Sequence, residues 1–226
     1  LETIREYAAA KIAERGGASL WRARHRDYFL ALAEAGARRF KGPEGAAWGA
    51  RLAGEIDNLR AALAWSRDEA GDGRPLLRLA GALYLFFYER GHLAEGREWI
   101  ELALSRAASA PAPMRADAHT AAGNLAHDQG DLAAAREHHE GALALHREAG
   151  DMSGIAMALH NIGNILMLTG DFGAAREHFE ESGALLETIG AKQNVALSLF
   201  NQGSVALETG EWDRAEALMA RAEALF

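Results

Sequence analysis

Apolar side chains recur along the chain at the spacing of one helix face. Leu159, Ile162 and Leu166 stand at i, i+3 and i+7, an interval that aligns side chains on one side of an α-helix. Glycine-acid pairs punctuate the pattern at Gly130-Asp131, Gly170-Asp171 and Gly210-Glu211, 40 residues apart each time. Gly123, Gly163 and Gly203 keep the same spacing, as do Ala135, Ala175 and Ala215. The block Arg136-Glu137-His138 returns as Arg176-Glu177-His178. Three coincident series at one period predict a repeated structural unit.

Within each period the residues read as helix, turn, helix. Gly170 ends the first helix, because glycine takes the left-handed cap conformation without a steric penalty. Asp171 can cap the second by accepting backbone N–H bonds. Ala175, Phe179 and Ser182 then line the inner face of that second helix, and the small residues Gly163 and Ala175 allow the pair to approach closely.

A fainter copy lies upstream, with Gly91 standing 39 residues before Gly130, Tyr84 in the place of the small residue and Gly96 in the place of the alanine. This predicts a hairpin of Pro75–Arg90 and Leu93–Ala107, followed by a linker at Ala108–Pro113. Before residue 75 the repeat fades. Helices are expected at about 1–15, 19–39 and 44–69, broken by Gly16-Gly17, by Lys41-Gly42-Pro43 and by Gly71-Asp72-Gly73. The expected organisation is a helical lead-in over 1–73 and an array of about four hairpins over 74–226. The fold class is all-α, a right-handed superhelix of antiparallel helical hairpins with ten or eleven helices and no strand. Each hairpin buries its apolar face only against its neighbours, so stability comes from stacking.

Composition agrees with this picture. Of 226 residues, 49% are hydrophobic and 25% charged, and only four are proline, a palette that buries a core and favours helix. Without cysteine there is no disulfide framework and no thiolate metal site, and a cytoplasmic setting is expected. No run of about 18 apolar residues occurs, so no membrane span is expected. The chain begins inside an amphipathic pattern, Leu1-Glu2-Thr3-Ile4-Arg5, and reads as a piece of something longer. Net charge is −8, which argues against direct nucleic-acid binding by this fragment. The balance is +4 over residues 1–51 and −12 over the rest. The cluster Arg22, Arg24, His25, Arg26 in the positive part is either a solvated helix face or a docking face for an upstream domain or nucleic acid.

These residues resemble the tetratricopeptide (TPR) motif, which places small residues at positions 8, 20 and 27, glycine near 15 and bulky residues at 4, 17 and 24. Leu159, Gly163, Gly170, Phe172, Ala175, Phe179 and Ser182 fit, as do Leu199, Gly203, Gly210, Trp212, Ala215, Met219 and Ala222. The preceding repeat fits at Gly123, Gly130, Leu132, Ala135 and Ala142, but His119 and His139 replace bulky apolar residues. The longer period of 40 implies longer helices, as in the repeats of large bacterial regulators. Further upstream, Leu1–Ala8 looks like the segment that follows the winged helix in bacterial NB-ARC/STAND regulators of SARP-like and LuxR-like type, and His25–Glu34 and Glu55–Trp65 look like the helices that then lead into the TPR array. That resemblance implies the sensor region of a multidomain transcriptional regulator. The alternative is a stand-alone TPR scaffold or peptide-binding receptor without an ATPase. No G-x-x-x-x-G-K-[ST] occurs in this piece.

Candidate chemistry is sparse. His138, His139 and His178 stand beside Glu137, Glu140 and Glu177, but no H-E-x-x-H occurs and the block follows the structural period, which points to a solvated face with i,i+4 pairs. His119 and His139 are expected to be half-buried and hydrogen-bonded. No nucleophile has a partnered base at a telling spacing, so no enzyme, cofactor or metal is expected. The resemblance implies a concave groove lined by the first helix of each hairpin. Its residues would be Arg78, Leu85 and Tyr88; Thr120, Asn124 and His127; His160, Asn164 and Met167; and Phe200, Ser204 and Leu207. Asparagine can clamp a peptide backbone, donating and accepting at once, and Phe, Tyr and Met can anchor apolar side chains. The expected partner is a protein or peptide, the regulator's own ATPase core being one candidate. A homo-oligomer is a further expectation.

Overall fold

The computed structural model of the chain describes residues 11, 17–69 and 71–225. Among the described residues there are eleven α-helices and no strand. The expected helix at 1–15 falls outside them apart from residue 11. The helices are α1 Ala18–Ala37, α2 Gly45–Gly54, α3 Ile56–Asp68, α4 Arg74–Glu89, α5 Leu93–Arg106, α6 Ala112–Asp128, α7 Leu132–Ala149, α8 Met152–Leu168, α9 Phe172–Thr188, α10 Lys192–Glu208 and α11 Trp212–Glu223. Contacts divide the chain into two compact units, Leu1–Ala110 and Pro111–Phe226.

The first unit contains α1 to α5. Leu30 and Ala33 of α1 are buried with Leu52 of α2, Leu59 and Leu63 of α3, Leu79 and Leu83 of α4 and Ile100 of α5. Where the sequence predicted one helix over 44–69, the structure has two. The ladder breaks at Glu55, whose backbone leaves helical geometry at φ −109°, ψ 12° and whose N–H bonds back only three residues, to Leu52. Gly54, directly before the break, has no side chain to pack and low helix propensity. Polar ties cross the helices: Arg60 grips Glu95 with two bonds of 2.7 and 2.6 Å, Arg78 pairs with Glu34 at 2.7 Å, and Arg26 pairs with Glu69.

The second unit is three antiparallel hairpins, α6–α7, α8–α9 and α10–α11. Each closes at a glycine in the left-handed region, at Gly130, Gly170 and Gly210, as does the α4–α5 hairpin of the first unit at Gly91. At Gly170 the paired bonds Gly170 N–H to Met167 O and Asp171 N–H to Leu166 O satisfy the last carbonyls of α8, the bonding pattern of a Schellman cap. Asp131 and Asp171 then cap the following helices, accepting from the N–H of Ala134 and Ala174. The same glycine cap recurs between hairpins at Gly150 and Gly190, followed by an aspartate cap at Asp151 but by none at Ala191.

Inside each hairpin a small residue faces a large one. A Cβ on Gly163 would sit 2.7 Å from Cε1 of Phe179. Phe179 is fully buried with Leu159, Ile162 and Ala175, which stabilises by roughly 1.5–3 kcal/mol for a side chain of that size. Ser182 Oγ donates to the Ala156 carbonyl within the hairpin, and Ser198 Oγ of α10 donates to the Phe179 carbonyl of α9, both at 2.8 Å. The second helices are laced by ion pairs between successive hairpins, Arg147–Glu181 and Arg214–Glu180.

Candidate binding face of the helical hairpins

The first helices of successive hairpins in the second unit are neighbours. Asn201 Nδ2 of α10 donates to Asn164 Oδ1 of α8 at 3.1 Å, and Ala126 of α6 packs with Ile165 of α8. These three helices carry nine of the twelve residues singled out from the sequence. On α6 these are Thr120, Asn124 and His127, all partly buried. On α8, His160, Asn164 and Met167 are also partly buried. On α10, Phe200 and Leu207 are exposed and Ser204 is partly buried. Arg78, Leu85 and Tyr88 belong to α4 in the first unit.

The polar members of this set are mostly committed to the protein itself. Arg78 is held by Glu34. Thr120 Oγ1 donates to the Ala116 carbonyl and Ser204 Oγ to the Phe200 carbonyl, and His127 Nδ1 lies 3.0 Å from Asp128 Oδ1. Asn164 accepts from Asn201, so its side chain is a link between hairpins. Burial lowers the pKa of His160, whose ring meets Phe179 edge-on at 5.6 Å.

What remains available is apolar. Met157 and Leu197, which the sequence reading did not include, extend the stripes of α8 and α10 by one helical step and are each 45% exposed. Phe200 is 49% exposed, and Leu168 and Leu207 are exposed as well. The 40-residue period pairs Met157 with Leu197, so the repeat itself held the signal that would have found them. The helix α8 contains no Asp, Glu, Lys or Arg, and α10 contains only Lys192 and Glu208 at its ends. The outer helix α9, by contrast, carries Arg176, Glu177, Glu180, Glu181 and Glu187. A face with few charges and several half-exposed large side chains is suited to dock apolar side chains of a partner.

The histidines serve another purpose. His139 is 2% exposed and its Nδ1 has no hydrogen-bond partner, so the expectation of a half-buried, hydrogen-bonded group fails for it. It fills the place that Phe179 fills one repeat later. His119 is partly buried and meets His138 with Nδ1 atoms 3.2 Å apart. Desolvation by burial pushes both His119 and His139 down to about 4, with adjacent His138 adding to the effect. On the outer surface Arg136 pairs with Glu140 as the i,i+4 reading expects, but Arg176 reaches instead to Glu211 of the next hairpin. No group of three or more possible metal ligands lies together among the described residues. No helix among them is long and apolar enough to cross a membrane.

Residues 118–149 and 154–226 match tetratricopeptide-repeat families. Proteins of Mycobacterium tuberculosis and Mycobacterium bovis, provisionally named HTH-type transcriptional regulators, are 37% identical over 174 residues. The match covers 72% of this chain and 19% of each relative, so the chain spans about a fifth of their length. Among solved structures, RapI in its apo form superposes with a TM-score of 0.73 at 16% identity, covering 88% of this chain and 70% of that one. Aspartyl phosphate phosphatase F of Bacillus subtilis gives 0.68 at 12% identity over 94% and 53%. BtubC of P. vanneervenii gives 0.67 at 15% identity over 88% and 90%. At these identities the likeness concerns the fold, which is all-helical and TPR-like.

Proposed function

We propose that this chain is the partner-binding TPR region of a larger bacterial transcriptional regulator of the NB-ARC/STAND kind, with residues 1–73 as a helical lead-in and 74–226 as the repeat array. Its role is that of a sensor in the cytoplasm. A protein or peptide, or the regulator's own ATPase core, docks on the first helices of successive hairpins and biases an off/on equilibrium by its differential affinity for the two states. The observation that carries the docking role is the scarcity of charge on α8 and α10, with Met157, Leu197 and Phe200 half-exposed, against the charged outer helix α9. The regulator context draws support from the relatives' name and from the fraction of their length that this chain matches. The chain's own part is binding and not catalysis, in keeping with candidate residues most of whose polar groups are bonded internally.

The test is a capture experiment. The wild-type chain is immobilised and exposed to lysate of its host, and the recovered proteins are then measured against variants. Leu197→Ser with Phe200→Ser removes exposed apolar surface and is expected to weaken the captured partner by at least roughly tenfold, as for hot-spot residues. Glu177→Lys on the outer helix is expected to leave binding unchanged. The reverse pattern would assign recognition to the outer helices. A gene in which no P-loop and winged helix accompany this region would favour the stand-alone peptide-binding scaffold.

A further inference from the structure

The first unit holds a cleft that the repeat pattern does not account for. One wall is α2, where Gly45, Ala46, Gly49 and Ala53 share a side and present nothing larger than a methyl group. The other is the C-terminal end of α4 with the turn beyond it. Two hollows of about 400 and 380 Å³ meet at Arg90. Phe40 and Glu89 border the first, while Ile56 and Phe86 line the second together with His92.

The glycines of α2 are not equally constrained. At Gly45 a Cβ would lie 2.1 Å from the Phe40 carbonyl oxygen, so the turn into α2 requires glycine whatever the cleft does. At Gly49 a Cβ would meet Arg90 Nη2 at 3.5 Å and Phe40 Cζ at 3.6 Å. Both are ordinary van der Waals distances, so the guanidinium lies alongside the helix without glycine being required there.

Arg90 differs from most arginines of its unit. Arg26, Arg39, Arg60, Arg78 and Arg97 each hold a carboxylate. Arg22, Arg24 and Arg51 lie over tryptophan rings. The Arg90 guanidinium has no ion pair, side-chain hydrogen bond or ring contact among the described residues. Glu89 ends α4 and adjoins Arg90 in sequence, but the two are not paired.

A free guanidinium presents two parallel N–H donors matched to a carboxylate. An apolar hollow of this size beside it takes a small hydrocarbon body. Glu89 on the other side repels a second negative charge. The geometry points to a binding site for a small free monocarboxylate, its carboxylate on Arg90 and its apolar body over Ile56 towards Ala53. This site is independent of the face on α8 and α10, and either can fail without the other.

The experiment is a titration of the isotope-labelled 226-residue chain, followed by backbone amide NMR, with phenylacetate and hexanoate as probes. Saturable one-to-one shifts centred on Gly49, Ala53 and Arg90 are expected. Phenylacetamide, which lacks the charge, should bind roughly tenfold more weakly or worse. Arg90→Gln should weaken phenylacetate by a similar factor, Ala53→Phe should abolish binding by filling the hollow, and Arg38→Gln should change nothing. Retained amide dispersion checks the fold of each variant. No saturation by either acid at about 10 mM, a range weaker than most small-ligand sites, overturns the inference. So does equal affinity in Arg90→Gln. Binding of the tripeptide Gly-Gly-Phe without binding of the free acids overturns it too, in favour of a peptide C-terminus.

Discussion

His139 lies with its imidazole against Gly123, so close that a Cβ on the glycine would fall 2.7 Å from Cε1 and 2.8 Å from Nε2. Phe179 meets Gly163, and Met219 meets Gly203, in the corresponding positions. One steric arrangement is thus kept through three repeats while the chemistry changes. In the first of them a polar ring with an unpartnered buried Nδ1 takes a hydrocarbon's place, at a cost of roughly 1–3 kcal/mol for such a group.

His139→Phe should therefore stabilise the protein. The phenyl ring reproduces the contact that Phe179 makes and removes the unpaired nitrogen. A gain of about 1–3 kcal/mol in urea unfolding is expected. A loss instead would mean that the surroundings of α6 and α7 cannot take the larger ring and that overpacking outweighs the polar penalty.

Acid should destabilise the same hairpin selectively. His139 and His119 are pushed by burial down to about 4 in the folded protein, whereas unfolded histidine titrates near 6.5. Above pH 6.5 both states are neutral and stability is at its full value. As pH falls from 6.5 towards 4 the unfolded chain takes up protons that the folded chain refuses, so stability declines across that window. His138, Arg115 and His127 face the pair and add to the penalty on a charged ring. For His139 the loss amounts to at most about 3 kcal/mol by pH 4. Carboxylates titrate in the same range, so the informative quantity is the difference between wild type and His139→Phe at pH 7.5 and 4.5. If that difference stays constant, the histidine does not titrate as described.

Gly163 and Gly173 separate packing from backbone freedom. Gly163→Leu forces a side chain into Phe179 and should lose at least roughly 1–3 kcal/mol. At Gly173 a Cβ would meet only Asp171 Oδ1, at 3.9 Å, so Gly173→Ala should be neutral or gain up to about 1 kcal/mol from helix propensity. Melting temperatures of both variants check the pair. Equal effects would mean that the contact with Phe179 is not what requires glycine at 163.

The chain alone should not bind duplex DNA with useful affinity at physiological salt. In the basic cluster Arg26 is engaged by Asp27 and Glu69, and Arg22 and Arg24 lie over Trp65 and Trp21, while net charge is −8. Too few unpaired cations face solvent together to release many phosphate counterions. Fluorescence anisotropy with a labelled duplex tests this. Sub-micromolar binding that is lost on neutralising Arg22 and Arg24 would make the cluster a functional site.

The periodicity of glycine, alanine and apolar residues by itself determined the helical hairpins, their turns at Gly91, Gly130, Gly170 and Gly210, and the facing of Gly163 by the second helix. These depend on local rules: a left-handed cap needs glycine, and two helices touch closely only where one lacks a side chain. Tertiary structure decided the rest. It split 44–69 at Glu55, because a helix break is set by what each half packs against. It tied Arg78 to Glu34 and Asn164 to Asn201, because a polar side chain's partner lies on another helix and no spacing along the chain names it. It placed His139 fully inside, since the space opened by Gly123 accepts whichever ring the sequence supplies. It also brought Arg90 to the glycine-lined wall of α2, 41 residues from Gly49 along the chain, a juxtaposition that exists only once the helices have packed.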